Sequence, residues 1–576
     1  ALSTDTLGSK STAVGTDALQ TQNFTTATDS FNTAVGYNAG NAVTTGTLNT
    51  LVGGLAGDAL TTGFNNVAMG YEALGSNTAS GAHVAIGYQA LKTLNSTTNS
   101  SQFNTAVGAN AGLSVTTGVE NTIVGGLAGD AITTGYYNTA LGKDALTTNT
   151  LSSINVAIGH SALKTMSAGN AETYNVAVGG NAGLSVTSGV QNTLIGGLAG
   201  DALTDADANV AIGIGALGSD TLGSLSVAVG ANALNAQNLT TATNTYSVAV
   251  GHFAGAAVTT GVENTLIGGL AGDALTVGVR NVAVGKGALT TDVGGNKSVA
   301  IGHSALEAQN LGATTTDAFN TAVGYNAGSA VTTGIQNTFV GGSAGDATND
   351  GAENVAVGYA ALSANCGNGN GAFGYAALFQ CTGQFNTAVG TSAGSAVTSG
   401  GNNLFLGKDT GLSGSPGGSS TTESNVIFLG DENITNIYAA VSSIGTSDER
   451  DKTDFTALDL GLDFVKNLKP VTYYWDKRSK YGDKYAEDYD LNAQTPDGTH
   501  KEDWLDIGFK AQEVVALEEA AGYTISDKTN LVSNLTADGT QYGLKYDRFV
   551  PILVKAIQEQ NALITALTDR ITALEG

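Results

Sequence analysis

In 576 residues the chain has two cysteines, four prolines, two methionines and two tryptophans, and only 12% of its side chains are charged. Two cysteines exclude a disulfide-built scaffold, and buried thiols are the expectation for Cys366 and Cys381, ahead of a bridge or a metal site. No apolar run approaches the roughly 18 residues that cross a bilayer, so no membrane insertion is expected. Basic residues are scarce: 23 Lys and Arg against 49 Asp and Glu leave a net charge of −26. That balance disfavours sequence-independent binding to nucleic acid or to an anionic membrane, since both need a positive face.

Glycine is abundant, with 80 residues. The charge is uneven: 24 acidic and 15 basic residues fall from Ser447 onward, which leaves 25 and 8 for the 446 residues before it. The chain therefore has two regimes. The long first part is Ser/Thr/Asn-rich and sparsely charged. The last part has ordinary globular composition and holds both tryptophans, Trp475 and Trp504.

The first part repeats Asn-x-(Ala/Leu)-(Val/Ile)-Gly, as in NTAVG at 32–36, NTLVG at 49–53, NVAMG at 66–70 and HVAIG at 83–87. The closing glycines are 17, 17, 17 and then 20 to 22 residues apart, a super-repeat of about 72 residues, and a relaxed copy ends at Gly430. A fixed period of this size marks a solenoid. Each unit reads as two short β-segments, one at TAVG and one near AVTTG or DALTTG, separated by turns. The predicted fold is mostly β: a parallel β-solenoid shaft over 1–430 with about two dozen rungs rising about 4.8 Å each. Ala, Val and Leu cannot fill a wide coil, so such a thin roll is expected to bury a further face against other copies. The repeat resembles the trimeric β-roll head of bacterial autotransporter adhesins, and similar repeats occur in phage fibres.

Several features of the shaft are candidate sites. GGLAGDAL and its variants put Asp58, Asp130, Asp201, Asp273 and Asp346 in register, in a phrase similar to a calcium-binding nonapeptide. The fourth residue is not glycine and the phrase comes once in four rungs, so a polar turn is expected. His160, His252 and His303 follow rung glycines and read as polar fillers; no metal and no cofactor is expected. Paired threonines in VTTG skip rungs, which argues against an ice-binding face. An aromatic residue opens each super-repeat (Phe31, Phe103, Tyr174, Tyr246, Phe319 and Phe385) after a lengthened rung. It is expected to pack that bulge as a lid, the other reading being a loop that contacts a receptor.

A connector at 431–446 leads to the charged phrase SDERDK at 447–452. LDFVKNLKPVTYYWD at 462–476 reads as helix then strand, DIGFKAQEVVALEEAAGY at 506–523 as strand then helix, and 546–576 as a long helix. In that helix Ile557, Ile564 and Ile571 fall seven apart, with Gln560, Leu567 and Leu574 three residues later. This is a heptad seam with one polar layer; it predicts self-association without fixing the number of strands.

SDERDK at 447–452, LKPVTYYW at 468–475, IGFKAQEV at 507–514 and YDRFVPILVKAIQE at 546–559 together resemble the C-terminal intramolecular chaperone of endosialidases and other phage tail spikes and fibres. The resemblance covers 447–576 and implies a homotrimer whose end domain sets the register of the shaft and then cuts itself off. It implies Ser447 as nucleophile, Lys452 as base, Asp448 and Arg450 as supporting motif residues, and cleavage between Thr446 and Ser447. A serine–lysine pair needs no histidine, provided burial lowers the pKa of the lysine. Asp451 stands where the family commonly has a hydrophobic residue, and its charge beside Lys452 is expected to slow cleavage. The implied function is a virion tail fibre that binds a host cell-surface receptor, a glycan or other envelope component, alongside other tail proteins. A glycan-depolymerising spike and a cellular trimeric adhesin are the alternatives. The shaft has few of the carboxylate pairs that glycan cleavage uses, so no activity on an external substrate is expected.

Overall fold

The computed structural model describes the chain apart from residues 435–446, 448, 484–487 and 537, and the backbone alone at Asp451. The chain divides into two compact units, Ala1–Asn337 and Thr338–Gly576. Together they hold about 23 turns of parallel β-solenoid.

In the first unit, three-residue strands pair in parallel from Thr12–Val14 and Thr33–Val35 onward to Val299–Ile301 and Thr321–Val323, with like residues in register. Strand alternation turns the middle residue inward, so Ala34, Leu51, Ala68, Ala85, Ala106 and Ile123 are fully buried. The repeating Asn stands just before most of these strands and is buried too, with a buried Ser in its place at Ser226, Ser247 and Ser298. Asn121 is representative: its backbone N–H and Nδ2 donate to Asn104 Oδ1 at 2.9 and 3.2 Å, and Nδ2 also donates to Gly135 O at 2.9 Å. Its own Oδ1 accepts from the backbone N–H and Nδ2 of Asn138 at 3.0 and 3.2 Å. The motif is thus a side-chain ladder inside the wall of the coil. The closing glycine is required at each rung by geometry: Gly125 has φ +134°, and a Cβ there would lie 2.5 Å from Gly142 O.

The four-rung super-repeat follows from filling a narrow interior. Where the strand centre is large, as at Ile123, the following turn carries Gly129, whose added Cβ would press on Ile132 at 2.8 Å. Where the centre is Ala68 or Ala85, the turn instead supplies a buried Leu74 or Leu91. The opening rung has Ala34 at its centre and Gly40 in its turn, and a Cβ there would press on Leu51 of the next rung at 2.5 Å and Leu19 of the one before at 3.1 Å, so volume is balanced between neighbouring rungs and the sequence period records it.

The expected second strand per rung is absent among the described residues. The VTTG and DALTTG segments form turns and bends that stack by single bonds, such as Thr44 N–H to Thr61 O at 2.9 Å. Left-handed residues recur too closely for an extended run, for example Asn38 (φ 54°), Gly40 (φ 60°) and Leu48 (φ 60°). Extra short pairs occur at lengthened rungs: Gly8–Ser9 with Thr28–Asp29, Gly223–Ser224 with Thr243–Asn244, and Gly295–Asn296 with Thr316–Asp317. Buried carboxylates anchor two of these bulges. Asp220 accepts from Gln237 Nε2 at 2.6 Å and from the N–H of Gly223 at 3.1 Å, and Asp292 does the same with Gln309 and Gly295.

One rung replaces the ladder asparagine with His83, which is fully buried and sits 3.0 Å from Ser80 Oγ through Nε2. Burial holds its pKa down at about 4, against an ordinary 6.5. The neutral ring is the form the fold accepts, so between these values the unfolded chain binds the extra proton. The contribution is intact above pH 6.5 and lost as pH falls towards 4, a change of roughly 3 kcal/mol. His83→Asn is expected to abolish that local acid sensitivity, read as amide exchange of residues 83–87 at pH 7 and pH 5. Equal acid sensitivity in both proteins would refute the assignment.

In the second unit the same parallel ladder runs from Thr338–Val340 to Ile427–Leu429, with Phe339, Phe405 and Phe428 as the large strand centres. Cys366 and Cys381 are free, buried thiols there, and burial raises both pKa values, that of Cys381 to about 11.

The globular part of this unit contains helix α1 (Leu462–Asn467), a strand Val471–Tyr473 antiparallel to Asp506–Gly508, helix α2 (Ala511–Ala520), a hairpin of Ser533–Leu535 with Tyr542–Leu544, and helix α3 (Phe549–Glu575). Leu460, Phe464, Val514, Val532, Phe549 and Ile552 form its core. Glu518, buried on α2, accepts from the N–H groups of Leu531, Val532 and Ser533 at 2.7, 2.7 and 3.0 Å and so fixes the hairpin to the helix.

Candidate self-cleavage site and assembly seam

A 3₁₀ turn over Glu449–Asp451 folds the chain back after Ser447, closed by Lys452 N–H donating to Glu449 O at 3.2 Å. The turn brings the two predicted residues together. Lys452 Nζ donates to Ser447 Oγ at 2.5 Å and to Ser447 O at 3.3 Å. Both residues are exposed in the single chain, as is Arg450. Thr446 and Asp448 lie outside the described residues, as does the side chain of Asp451.

The globular part rests on the last rungs of the same unit. Asp538 Oδ2 accepts from Ser419 N–H at 3.1 Å, and Lys477 Nζ donates to Glu432 O at 2.7 Å. Burial would raise the Asp538 pKa, but bonds from Thr536, Thr540 and the Ser419 backbone outweigh it and hold the carboxyl below its ordinary value.

Helix α3 has two apolar faces. Phe549, Ile552 and Ala556 are buried in the domain, while Ile557, Ile564, Leu567, Ile571 and Leu574 are 53–83% exposed, with Gln560 exposed among them. Val550 and Leu553 are exposed too and extend the heptad by one repeat toward the domain. Sequence periodicity misses them because the buried set occupies the same stretch and blurs the period.

The candidate residues of the shaft occupy modest settings. Burial raises the pKa values of Asp58, Asp130 and Asp201, and Asp273 accepts from Thr290 Oγ1 at 2.8 Å. His252 meets Phe253 edge-on at 4.3 Å and His303 stacks on Tyr325 at 5.5 Å. The rung-opening aromatics do not form lids: Phe31, Phe103, Tyr174, Tyr246, Phe319 and Phe385 are 48–60% exposed. Each precedes a buried ladder position on left-handed backbone and faces solvent.

Residues 447–523 match the family described as chaperone of endosialidase. No curated protein matches the chain. A β-solenoid ahead of such a chaperone domain is the make-up of a tail-spike or tail-fibre type protein, and the domain implies homotrimeric assembly. Among the described residues no helix is long and apolar enough to cross a membrane.

Proposed function

We propose that the chain is the subunit of a homotrimeric phage tail fibre that recognises the host surface, and that its end domain aligns the shaft and then releases itself at Thr446–Ser447. The observation that carries the release step is the 2.5 Å approach of Lys452 Nζ to Ser447 Oγ. An unprotonated Lys452 takes the Oγ proton as Oγ attacks the Thr446 carbonyl carbon. The C–N bond of Ser447 breaks, its nitrogen takes that proton, and an ester joins Thr446 to Oγ. Water then hydrolyses the ester, leaving a Thr446 carboxylate and a free Ser447 amine with its hydroxyl restored.

A lysine acts as a base only when desolvated, and this pair is exposed in one chain. The missing cover is assigned to neighbouring copies, which makes cleavage follow assembly. That order suits a repetitive shaft. Near-identical rungs can pair one unit out of step at little penalty, so register has to be set before the clamp is lost.

Mass spectrometry of freshly expressed protein is expected to find fragments of 446 and 130 residues, the chain cut after Thr446. Ser447→Ala and Lys452→Arg are expected to stay whole, the arginine because it keeps the charge and provides no base. Cleavage in either variant would overturn the assignment, and an intact wild type would leave the domain as a retained trimerisation cap.

A further inference from the structure

One column of the shaft carries an exposed ring once per super-repeat. In the first unit, the residue before each buried ladder position is left-handed, and the aromatics there have φ of 50° at Phe31, 48° at Phe103, 52° at Tyr174, 48° at Tyr246 and 50° at Phe319. Asparagine is the ordinary non-glycine choice for this conformation, and the same column holds Asn65 at φ 55°. The whole column is left-handed whatever residue fills it, as at Leu48 (φ 60°), Glu120 (φ 56°) and Ile154 (φ 62°), so the backbone does not set the rings apart. What does is that a large ring, left exposed, returns at the same place once per super-repeat, which points to use rather than to packing.

Each ring also has a polar companion. Two residues upstream stand Asp29, Ser101, Glu172, Asn244 and Asp317, all exposed, and the residue between is buried in every case. The acceptor and the ring thus both face solvent, two residues apart. Tyr174 OH donates to Glu172 at 2.6 Å, and Tyr136 OH reaches the same carboxylate at 2.8 Å. Beside Phe31 and Phe319, Lys10 and Lys297 lie 5.0 Å from the ring centroids and pair with Asp29 and Asp317 at 2.7 and 2.6 Å. The modules recur every four rungs, about 19 Å along the shaft at about 4.8 Å per rung.

We propose that this column is a row of shallow saccharide sites for a neutral, repeating host-surface polysaccharide. The C–H face of a pyranose stacks on each ring, and its hydroxyls donate to the neighbouring acceptor. The excess of carboxylates along the shaft repels an acidic chain. Each site is open and weak alone, and affinity comes from several sites engaging one polymer. The proposal rests on the host-recognition reading and names the site and ligand class within it.

The test uses the full chain and a variant carrying Phe31→Asn, Phe103→Asn, Tyr174→Asn, Tyr246→Asn and Phe319→Asn. Both are applied to a printed array of neutral and acidic bacterial polysaccharides and, fluorescently labelled, to a panel of bacterial cells. The wild type is expected to bind neutral polysaccharide. The variant is expected to lose at least about 100-fold in apparent affinity, with unchanged oligomer mass and an equal or higher melting temperature. Undiminished binding by the variant would move the site elsewhere, and loss of oligomer would make the column an interface between copies; either result overturns the proposal. Cells bound by the wild type with no polysaccharide retained would overturn the ligand class and leave the fibre reading standing. Binding to neither would remove both.

Discussion

Asn121→Ala is expected to open the shaft at one rung at a cost of roughly 3–5 kcal/mol, because it strands buried polar groups on both sides. The substitution removes the Nδ2 bonds to Asn104 Oδ1 and Gly135 O, and the Oδ1 acceptor used by the Asn138 backbone N–H and Nδ2. Alanine fills none of that space with polar atoms and admits no water into a fully buried position. A solenoid is stabilised mainly by nearest-neighbour terms, so one weak rung uncouples the arrays on either side. Hydrogen exchange is expected to rise over residues 118–142 and to remain protected several rungs away. Thr122→Ala, on the exposed side of the adjacent strand, is the control and is expected to change stability by less than about 0.5 kcal/mol. If the two variants exchange alike, the asparagine ladder is not what joins the rungs.

The same residues show how far the fold was legible in the sequence. The Gly of each repeat could be read as a fixed point, because a glycine-only φ tolerates little else, and the Asn of most repeats as a ladder that gives way only to His83, Ser226, Ser247 and Ser298 among the buried positions; their spacing marks the parallel rung directly. The Ala/Leu alternation likewise records an interior filled jointly by neighbouring rungs. The second strand was misread because Val-Thr-Thr composition suits a strand, whereas the conformation there is decided by left-handed residues such as Leu48, which no propensity marks. The outward aromatics were misread for a related reason: a ring after a bulge looks like a lid, whereas the left-handed residue before each buried ladder position leaves it exposed. The buried Asp220–Gln237 anchor was not legible, since its partners are 17 residues apart and each is an ordinary polar residue in isolation. In the end domain the order of helices and strands was readable, and the Ser447–Lys452 approach was reached only through resemblance. A serine and a lysine five residues apart carry no signal until a turn closes between them.

The seam on α3 supports the other large expectation. Ile564→Glu with Leu567→Glu is expected to leave the chain monomeric at micromolar concentration, measured by light scattering. Those two side chains are 53% and 55% exposed on a helix whose inner face is already committed to the domain core, so the substitutions leave that fold untouched. Burying each Ile or Leu in an assembled seam is worth about 1.5–3 kcal/mol, and a pair of charges in each of three helices replaces that gain with repulsion. The variant also separates the two roles of the end domain. If the cover that makes Lys452 a base comes from neighbouring copies, the monomeric variant is expected to remain uncut although Ser447 and Lys452 are unchanged, and its shaft is expected to aggregate because nothing holds the rungs in step. A variant that is monomeric and still cleaved would locate the base within one chain and detach release from assembly. A variant that still assembles would place the register-setting contact outside the helix, with the exposed Val550 and Leu553 at the head of the same heptad as the next residues to charge.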